Sequence, residues 1–236
     1  MGRQSGGWFQ TERYLGRQRL NRGLHELAIS DVQLAQSEVI MRAALPDVYL
    51  VRHGETEWSL SGQHTGLTDL PLTPAGERQA LALRDRLQLK TFTKVFSSPL
   101  QRARRTCELS GYGSIAELDS DLIEWNYGDY DGKKRDWILA QHPGWLIFRD
   151  GCPNGESPAE VATRADRVIS RIGRVDGNVL LFSSGHFLRV LIARWLGLEA
   201  SGGGYFKLGT AALSILGYDH NNTGEPVVRL LNETLK

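Results

Sequence analysis

Cysteine is scarce in this chain: two residues, Cys107 and Cys152, occur among 236. Two cysteines are too few for a disulfide framework or a thiolate zinc site, so a reducing compartment, the cytoplasm, is the default expectation. An excess of charge of one sign is also absent, because 28 lysines and arginines nearly balance 27 aspartates and glutamates. The formal net charge of +1 gives no electrostatic reason to expect nucleic acid or an anionic membrane as a partner.

Long hydrophobic runs and nucleotide-binding loops are missing as well. No apolar stretch reaches the roughly 20 residues that a membrane-spanning helix needs, and no internal repeat is visible. The G-x-x-x-x-G-K pattern is absent, which places kinases and NTPases low among the candidate functions. The length suits one sizeable domain, or one domain with an appendage.

Residues 1–46 differ in composition from the rest and are predicted to form an N-terminal extension. Their first forty positions contain five arginines, no lysine and no clear strand. Three hypotheses compete here. An organellar transit peptide is the first, although four acidic residues argue against it. A small regulatory or oligomerising arm is the second, and translation that begins at Met41 is the third. We favour the third, and we expect residues 47–236 to form the domain that carries the chemistry.

Strand and helix patterns alternate along that domain. Thr73-Pro74, Ser98-Pro99 and Ser157-Pro158 predict helix starts, the last with a capping box to Glu160. Short apolar runs predict strands over 48–51, 94–97, 178–183, 212–217 and 227–231. The alternation predicts an α/β fold, a three-layer α/β/α sandwich with a mostly parallel central sheet. Residues 124–156 show little periodicity and are predicted to form a lid or side insertion over the crevice.

The first predicted strand ends in residues that suit phosphoryl chemistry. Arg52, His53 and Gly54 follow the apolar run directly, and open α/β sheets place their ligand crevices at the carboxyl ends of strands. A guanidinium fork matches phosphate oxygens, and a glycine lets a ligand approach the backbone closely. The pattern indicates a nucleophilic His53 facing a phosphoryl group, with Arg52 as the first charge clamp.

Residues 52–58, Arg-His-Gly-Glu-Thr-Glu-Trp, closely resemble the signature of the histidine phosphatase superfamily, also called the phosphoglycerate-mutase-like family. The resemblance extends from Val48 to about Leu231. It implies a phosphoglycerate-mutase-like fold and phosphoryl transfer through a phosphohistidine on His53, with no metal and no cofactor. The expected partner is a small phosphorylated substrate, and the choice between monomer and homodimer stays open.

Two further segments are similar to motifs of that family. Residues 97–103 resemble its second motif, which implies that Arg102 is a second phosphate clamp near a helix amino terminus. Residues 122–132 resemble its glutamate segment, which implies that Glu124 is the general acid and that Tyr127 contacts the substrate. The loop after the signature corresponds to family positions that contact phosphate or substrate. Its candidate binding residues are Ser59, Gln63, Thr65 and Gly66, beside Gly54.

The chain departs from the family at its second catalytic histidine. Aligned on Gly185, the usual histidine position holds Ser184, and a histidine follows at His186. His186 is predicted to be catalytic, and Ser184 and Gly185 to bind the substrate. Three consequences stay open: His186 takes over charge stabilisation, Ser184 donates a neutral hydrogen bond, or the chain binds a phosphorylated ligand with little turnover.

The predicted function is metal-independent hydrolysis of small phosphomonoesters. The runs at residues 65–73 and 124–132 look most like the sugar-phosphatase branch, which includes broad-range acid phosphatases and sedoheptulose-bisphosphatase-like enzymes. That resemblance implies sugar phosphates as the substrate class. A phosphoglycerate-type mutase and a weakly active or inactive binding protein are the alternatives.

Overall fold

A computed structural model describes residues 45–234. The predicted extension, with Met41, lies outside the described residues except for its last two positions, and the boundary at 46/47 stays a prediction. The helices and strands follow in chain order: β1 (Val48–Arg52), α1 (Glu57–Ser61), α2 (Pro74–Leu87), β2 (Lys94–Ser97), α3 (Gln101–Leu109), β3 (Glu117–Leu118), α4 (Arg135–Gln141), α5 (Ile147–Asp150), α6 (Pro158–Ile172), β4 (Val179–Ser183), α7 (Gly185–Trp195), β5 (Leu213–Tyr218) and β6 (Pro226–Glu233).

A six-stranded sheet in the order β3-β2-β4-β1-β5-β6 forms the centre of the domain. The first four strands in that order are parallel to their neighbours. β5 runs antiparallel to β1, and β6 runs antiparallel to β5. The predicted α/β fold with a mostly parallel sheet is therefore confirmed.

Helices cover both faces of the sheet because the parallel strands are joined by helical crossovers. Along β1, Val48 and Leu50 point into a core shared with α6 and α7, while Tyr49 and Val51 point into a second core shared with α2 and α3. All residues of β4 are buried, since it has a strand on each side and helices on both faces. The two cores account for the three-layer arrangement.

The aperiodic segment 124–156 contributes aromatic side chains to the first of these cores. Trp125, Tyr127 and Phe148 are buried in the cluster that holds α6 and α7. The indole of Trp125 donates a hydrogen bond to the carbonyl oxygen of Glu156 (2.8 Å), which joins the two ends of the segment. Its inner side is thus part of the core, and this anchoring fixes the residues that reach the cleft.

One predicted helix start is wrong. The helix expected from Ser98-Pro99 begins at Gln101, and the Ser98 hydroxyl instead accepts a hydrogen bond from the Leu100 N–H (3.3 Å) within a turn. The carboxylate of Asp69, distant in sequence, accepts the Gln101 N–H at 2.7 Å and so supplies the cap. The starts at Thr73 and Ser157 are confirmed, since both side chains accept backbone N–H bonds as N-caps. Within residues 45–234, none of the helices combines the length and the hydropathy needed to cross a bilayer.

Candidate active site

His53 lies at the carboxyl edge of the sheet, where β1 and β4 end together. Its backbone N–H donates to the carbonyl oxygen of Ser183, the last residue of β4, at 2.9 Å. This register brings the residue after β1 beside the residues after β4, which open α7. Two sequence segments about 130 residues apart therefore meet at one edge.

The imidazole of His53 is held in one tautomer. Its Nδ1 lies 2.7 Å from the carbonyl oxygen of Gly54, which can only accept a hydrogen bond, so Nδ1 carries the proton and Nε2 keeps its lone pair. Burial lowers the pKa of His53 well below 6.5, and the nearby guanidiniums of Arg102 and Arg52 lower it further. A neutral imidazole with a free Nε2 is the form that a nucleophile requires.

Arg52 presents an unpaired edge of its guanidinium beside this ring. Its Nη1 donates to the carbonyl oxygen of Leu208 at 2.6 Å, while its buried Nε has no hydrogen-bond partner within the described chain. The guanidinium lies close to Gly185, where a Cβ atom would lie 3.1 Å from the Arg52 Nε. Glycine at position 185 thus serves the placement of Arg52 as well as the start of α7.

Arg102 is fully buried and anchored by carbonyl oxygens. Its two terminal nitrogens donate to the carbonyl oxygens of Thr68 (2.9 Å), Gly66 (2.8 Å) and Thr65 (3.2 Å). Its Nε, like that of Arg52, lacks a partner, and no carboxylate among residues 45–234 forms an ion pair with either guanidinium. Buried charges are normally paired, so two such cations beside a free imidazole indicate an anion-binding site.

Ser184 completes this group at the N-cap of α7. Its side chain is fully buried, caps no helix N–H, and its Oγ has no hydrogen-bond partner within residues 45–234. We call Arg52, His53, Arg102 and Ser184 the phosphate site. All of its unpaired groups except the His53 lone pair are able to donate hydrogen bonds, which suits a phosphoryl group.

Glu124 takes over the capping of α7. One oxygen of its carboxylate accepts the N–H groups of Trp125 (2.9 Å) and Phe187 (2.8 Å), and the other accepts the N–H of His186 (3.1 Å). Free N–H groups at a helix start ordinarily attract anions. Because Glu124 occupies two of them, the side chains of the phosphate site, rather than this helix end, are left to meet a substrate.

His186 and Tyr127 form a bonded pair next to the phosphate site. The Tyr127 hydroxyl and the His186 Nδ1 lie within hydrogen-bonding distance, and burial lowers the pKa of His186 while it raises that of Tyr127. The His186 ring also packs edge-on against Phe148, with centroids 5.2 Å apart. The position directly after β4 therefore belongs to Ser184, and His186 lies within the first turn of α7 with one ring nitrogen engaged by Tyr127.

Similarity to known proteins agrees with this geometry. Residues 48–234 match the sequence family described as the histidine phosphatase superfamily, branch 1. The chain belongs to the histidine phosphatase superfamily. This membership confirms the predicted family. Together with the names of two relatives, given next, it also confirms the prediction that the protein is a phosphoric monoester hydrolase.

Two named relatives of this histidine phosphatase are phosphatases. An acid phosphatase of Mycobacterium tuberculosis is 40% identical over 176 residues, covering 72% of this chain and 86% of the relative. A sedoheptulose 1,7-bisphosphatase of Saccharomyces cerevisiae is 39% identical over 192 residues, covering 67% and 70%. The solved structure of an open reading frame from Mycobacterium tuberculosis superposes with a TM-score of 0.76 at 37% identity, over 80% of this chain and 98% of that one.

A cleft of about 190 Å³ opens over the phosphate site of this histidine phosphatase. Most of the predicted site residues line it: Arg52, His53, Ser59, Gln63, Thr65, Glu124, Tyr127, Gly185 and His186. Arg102, Ser184, Gly54 and Gly66 are not among the residues that line it. The polar side chains of the loop are partly engaged already, since the Ser59 hydroxyl serves the capping box of α1 with Thr56, and the Gln63 amide donates to the Gly132 carbonyl oxygen (3.0 Å).

Two of the predicted glycines have packing reasons of their own. A Cβ at Gly54 would lie 2.5 Å from the carbonyl oxygen of Gly76, in α2. A Cβ at Gly66 would lie 2.9 Å from the ring of Tyr127. Close approach of one backbone to another segment therefore accounts for glycine at both positions, and contact with a substrate stays a prediction.

Four side chains of the cleft were not predicted from the sequence: Trp58, His64, Arg189 and Leu208. Arg189 follows His186 by three residues on α7, a spacing that places both on one helix face and was available as a signal. Its Nε donates to the carbonyl oxygen of Gly203 (2.9 Å), and its guanidinium lies over the ring of Phe148. His64 carried no such signal, because its position depends on backbone pairing with the distant segment 132–133.

Proposed function

We propose that this histidine phosphatase hydrolyses small phosphomonoesters, sugar phosphates above all, through a phosphohistidine on His53. The observation that carries the proposal is the neutral, single-tautomer imidazole of His53 beside the unpaired donors of Arg52, Arg102 and Ser184. The relative named as a sedoheptulose bisphosphatase supports sugar phosphates as the class of substrate.

In the first step, the lone pair on the His53 Nε2 attacks phosphorus, and the bond from phosphorus to the ester oxygen breaks. Negative charge is spread over the equatorial oxygens in such a transition state. Arg52 and Arg102 carry this charge, since both guanidiniums are anchored by carbonyl oxygens and no carboxylate within residues 45–234 pairs with either of them. Ser184 adds a neutral donor at the start of α7.

Glu124 is the proton donor in the first step and the proton acceptor in the second. Its carboxyl group lines the cleft, and in the first step it gives a proton to the departing alkoxide. In the second step, a water molecule attacks the phosphohistidine and its proton passes to the Glu124 carboxylate. The bond between phosphorus and nitrogen then breaks, and inorganic phosphate leaves with His53 neutral again.

A labelling experiment tests the intermediate. Brief mixing with a ³²P-labelled sugar phosphate, followed by quenching in alkali, is expected to leave label on the protein that later treatment with acid removes. His53→Ala should abolish both label and turnover. His142→Ala is the matched control, because the exposed His142 lies outside the cleft and should leave both unchanged. Label that persists in His53→Ala would contradict the assignment.

Ser184 favours a second candidate function, a phosphate-ligand binding protein with weak or no turnover. A buried serine at a position where the family usually carries a catalytic histidine leaves one donor fewer for the transition state. A phosphoglycerate-type mutase is the remaining alternative. Incubation with 3-phosphoglycerate separates the three: phosphate release supports hydrolysis, an isomer supports the mutase, and saturable binding without product supports the binding protein.

A further inference from the structure

His64 forms part of the cleft wall beyond the phosphate site. Its ring centroid lies 4.9 Å from that of Tyr127 and 6.1 Å from that of His186, nearly parallel to the latter at 23°. Backbone bonds fix the residue in place, because its N–H donates to the Lys133 carbonyl oxygen (2.9 Å) and its own carbonyl oxygen accepts the Gly132 N–H (2.8 Å).

The hydrogen bonding of the His64 ring shows which of its two nitrogens carries the proton. Nδ1 lies 2.9 Å from the same Lys133 carbonyl oxygen, which can only accept, so Nδ1 carries the proton. Nε2 therefore holds a lone pair. Within residues 45–234 it has no hydrogen-bond partner, and it is not among the buried unpaired atoms, so it is accessible to solvent on a residue that lines the cleft. Burial lowers the pKa of His64 below 6.5, which keeps the ring neutral at physiological pH.

This acceptor differs in kind from the arginines of the phosphate site, from Glu124 and from His186, which face the same cleft. The arginines of the phosphate site can only donate, and the carboxylate of Glu124 already accepts three backbone N–H bonds. The Nδ1 of His186 is engaged by Tyr127. When the phosphate of a substrate binds at the phosphate site, its alcohol portion would extend toward the part of the cleft wall that contains His64. There the His64 Nε2 offers an acceptor that no group of the described chain occupies.

We propose that His64 is a specificity-determining residue whose Nε2 accepts a hydrogen bond from a hydroxyl group of the alcohol portion, so that the cleft selects polyhydroxylated phosphate esters over plain alkyl esters. The inference rests on the proposed phosphatase function and adds to it the residue that recognises the leaving group.

Two substitutions separate the two nitrogens of the ring. The amide of asparagine in His64→Asn reaches about as far as Nδ1, so it can keep the bond to Lys133 but offers no acceptor at the Nε2 position. The longer His64→Gln reaches the Nε2 position and can accept there. The measured quantity is the ratio of kcat/KM for ribose 5-phosphate to that for tetrahydrofurfuryl phosphate, which has the same ring and phosphate without the ring hydroxyls. His142→Asn, on an exposed histidine outside the cleft, is the matched control.

We expect the wild type and His142→Asn to prefer ribose 5-phosphate equally, His64→Asn to lose about tenfold of that preference, and His64→Gln to retain most of it. The opposite order, in which asparagine keeps the preference and glutamine loses it, would make His64 a structural partner of Lys133 and overturn the inference. An equal preference in all variants, or none in an active wild type, would overturn it while the phosphatase function stands. Loss of p-nitrophenyl phosphate turnover in both variants would assign His64 to structure and overturn it as well. A wild type that releases phosphate from no ester would overturn the proposed function, and this inference with it.

Discussion

Ser184→His is expected to raise turnover, because it returns an imidazole donor to the position after β4. Ser184 is fully buried at the N-cap of α7, and its hydroxyl has no partner within residues 45–234. One preorganised donor facing transition-state charge is worth about 10²–10³ in rate. The serine hydroxyl already supplies part of this in the proposed mechanism, so a gain in kcat of about tenfold or more is the expected result.

The same substitution should lower stability. There is little room beside Ser184, because even a Cβ atom at the neighbouring Gly185 would lie 3.1 Å from the Arg52 Nε, so a larger side chain at position 184 must displace others. Overpacking of this kind costs about 1–3 kcal/mol, which should appear as a lower melting temperature. Ser184→Ala is the matched variant. It removes an unpaired hydroxyl, so the melting temperature should hardly change while kcat falls.

The assay is phosphate release from a sugar phosphate at saturating concentration, with melting temperature measured on the same preparations. His186→Ala completes the set, because it tests whether the histidine of α7 is the working partner. The reasoning is refuted if both Ser184 variants match the wild type in kcat while His186→Ala loses about 10² in rate. If none of the variants alters a negligible wild-type rate, the binding-protein hypothesis is the better one.

Three further predictions address the acid, metals and pH. Glu124→Gln should strongly slow sugar-phosphate hydrolysis but spare much of the rate with p-nitrophenyl phosphate, whose leaving group needs no proton; equal losses in kcat would assign Glu124 to structure. Activity should survive EDTA. Within the part of the chain that the structure describes, the side chains close enough together to bind a metal ion are the exposed Asp219, His220 and Glu225, which lie outside the cleft. A loss of activity that a divalent ion restores would contradict the mechanism. The pKa values of His53, His64 and His186 are lowered from 6.5, chiefly by burial, so the unfolded chain binds more protons below that pH. The free energy of unfolding, measured by urea titration, should therefore be lower at pH 5.5 than at pH 7.5. Equal values at the two pH values would contradict the lowered pKa values of these three histidines.

The positions of the proposed nucleophile and its first clamp could be predicted because one local pattern contains both. The apolar run of β1 ends at Arg52, and His53 follows, so the strand alone places them at the sheet edge where ligands bind. Arg102 could be predicted within a helix start even though the start itself was misplaced, since Asp69 rather than Ser98 supplies the cap. Local patterns tolerate such an error when the functional residue lies inside the element.

The contacts that set the polarity of the cleft could not be predicted, because they join distant segments. Glu124 accepts backbone N–H groups 62 and 63 residues ahead of it, and His64 meets a carbonyl oxygen 69 residues away. Nothing in the spacing of these residues along the chain indicates such pairs. These pairs depend on the packing of segment 124–156 into the core, and that packing could not be predicted because the segment shows little hydrophobic periodicity.

The capping of α7 by Glu124 bears on the consequence of a serine after β4. An α7 start with free N–H groups would place its own positive end at the substrate. Glu124 covers that end, so the positive charge of the phosphate site comes from Arg52 and Arg102. Both guanidiniums are anchored by carbonyl oxygens, and no carboxylate within residues 45–234 pairs with either of them. Charge stabilisation then depends on two groups that Ser184 does not disturb. A neutral hydroxyl at position 184 would therefore stabilise the transition state less than an imidazole donor would. The positive charge of the two guanidiniums that holds the phosphate would remain, so we expect slow hydrolysis rather than none.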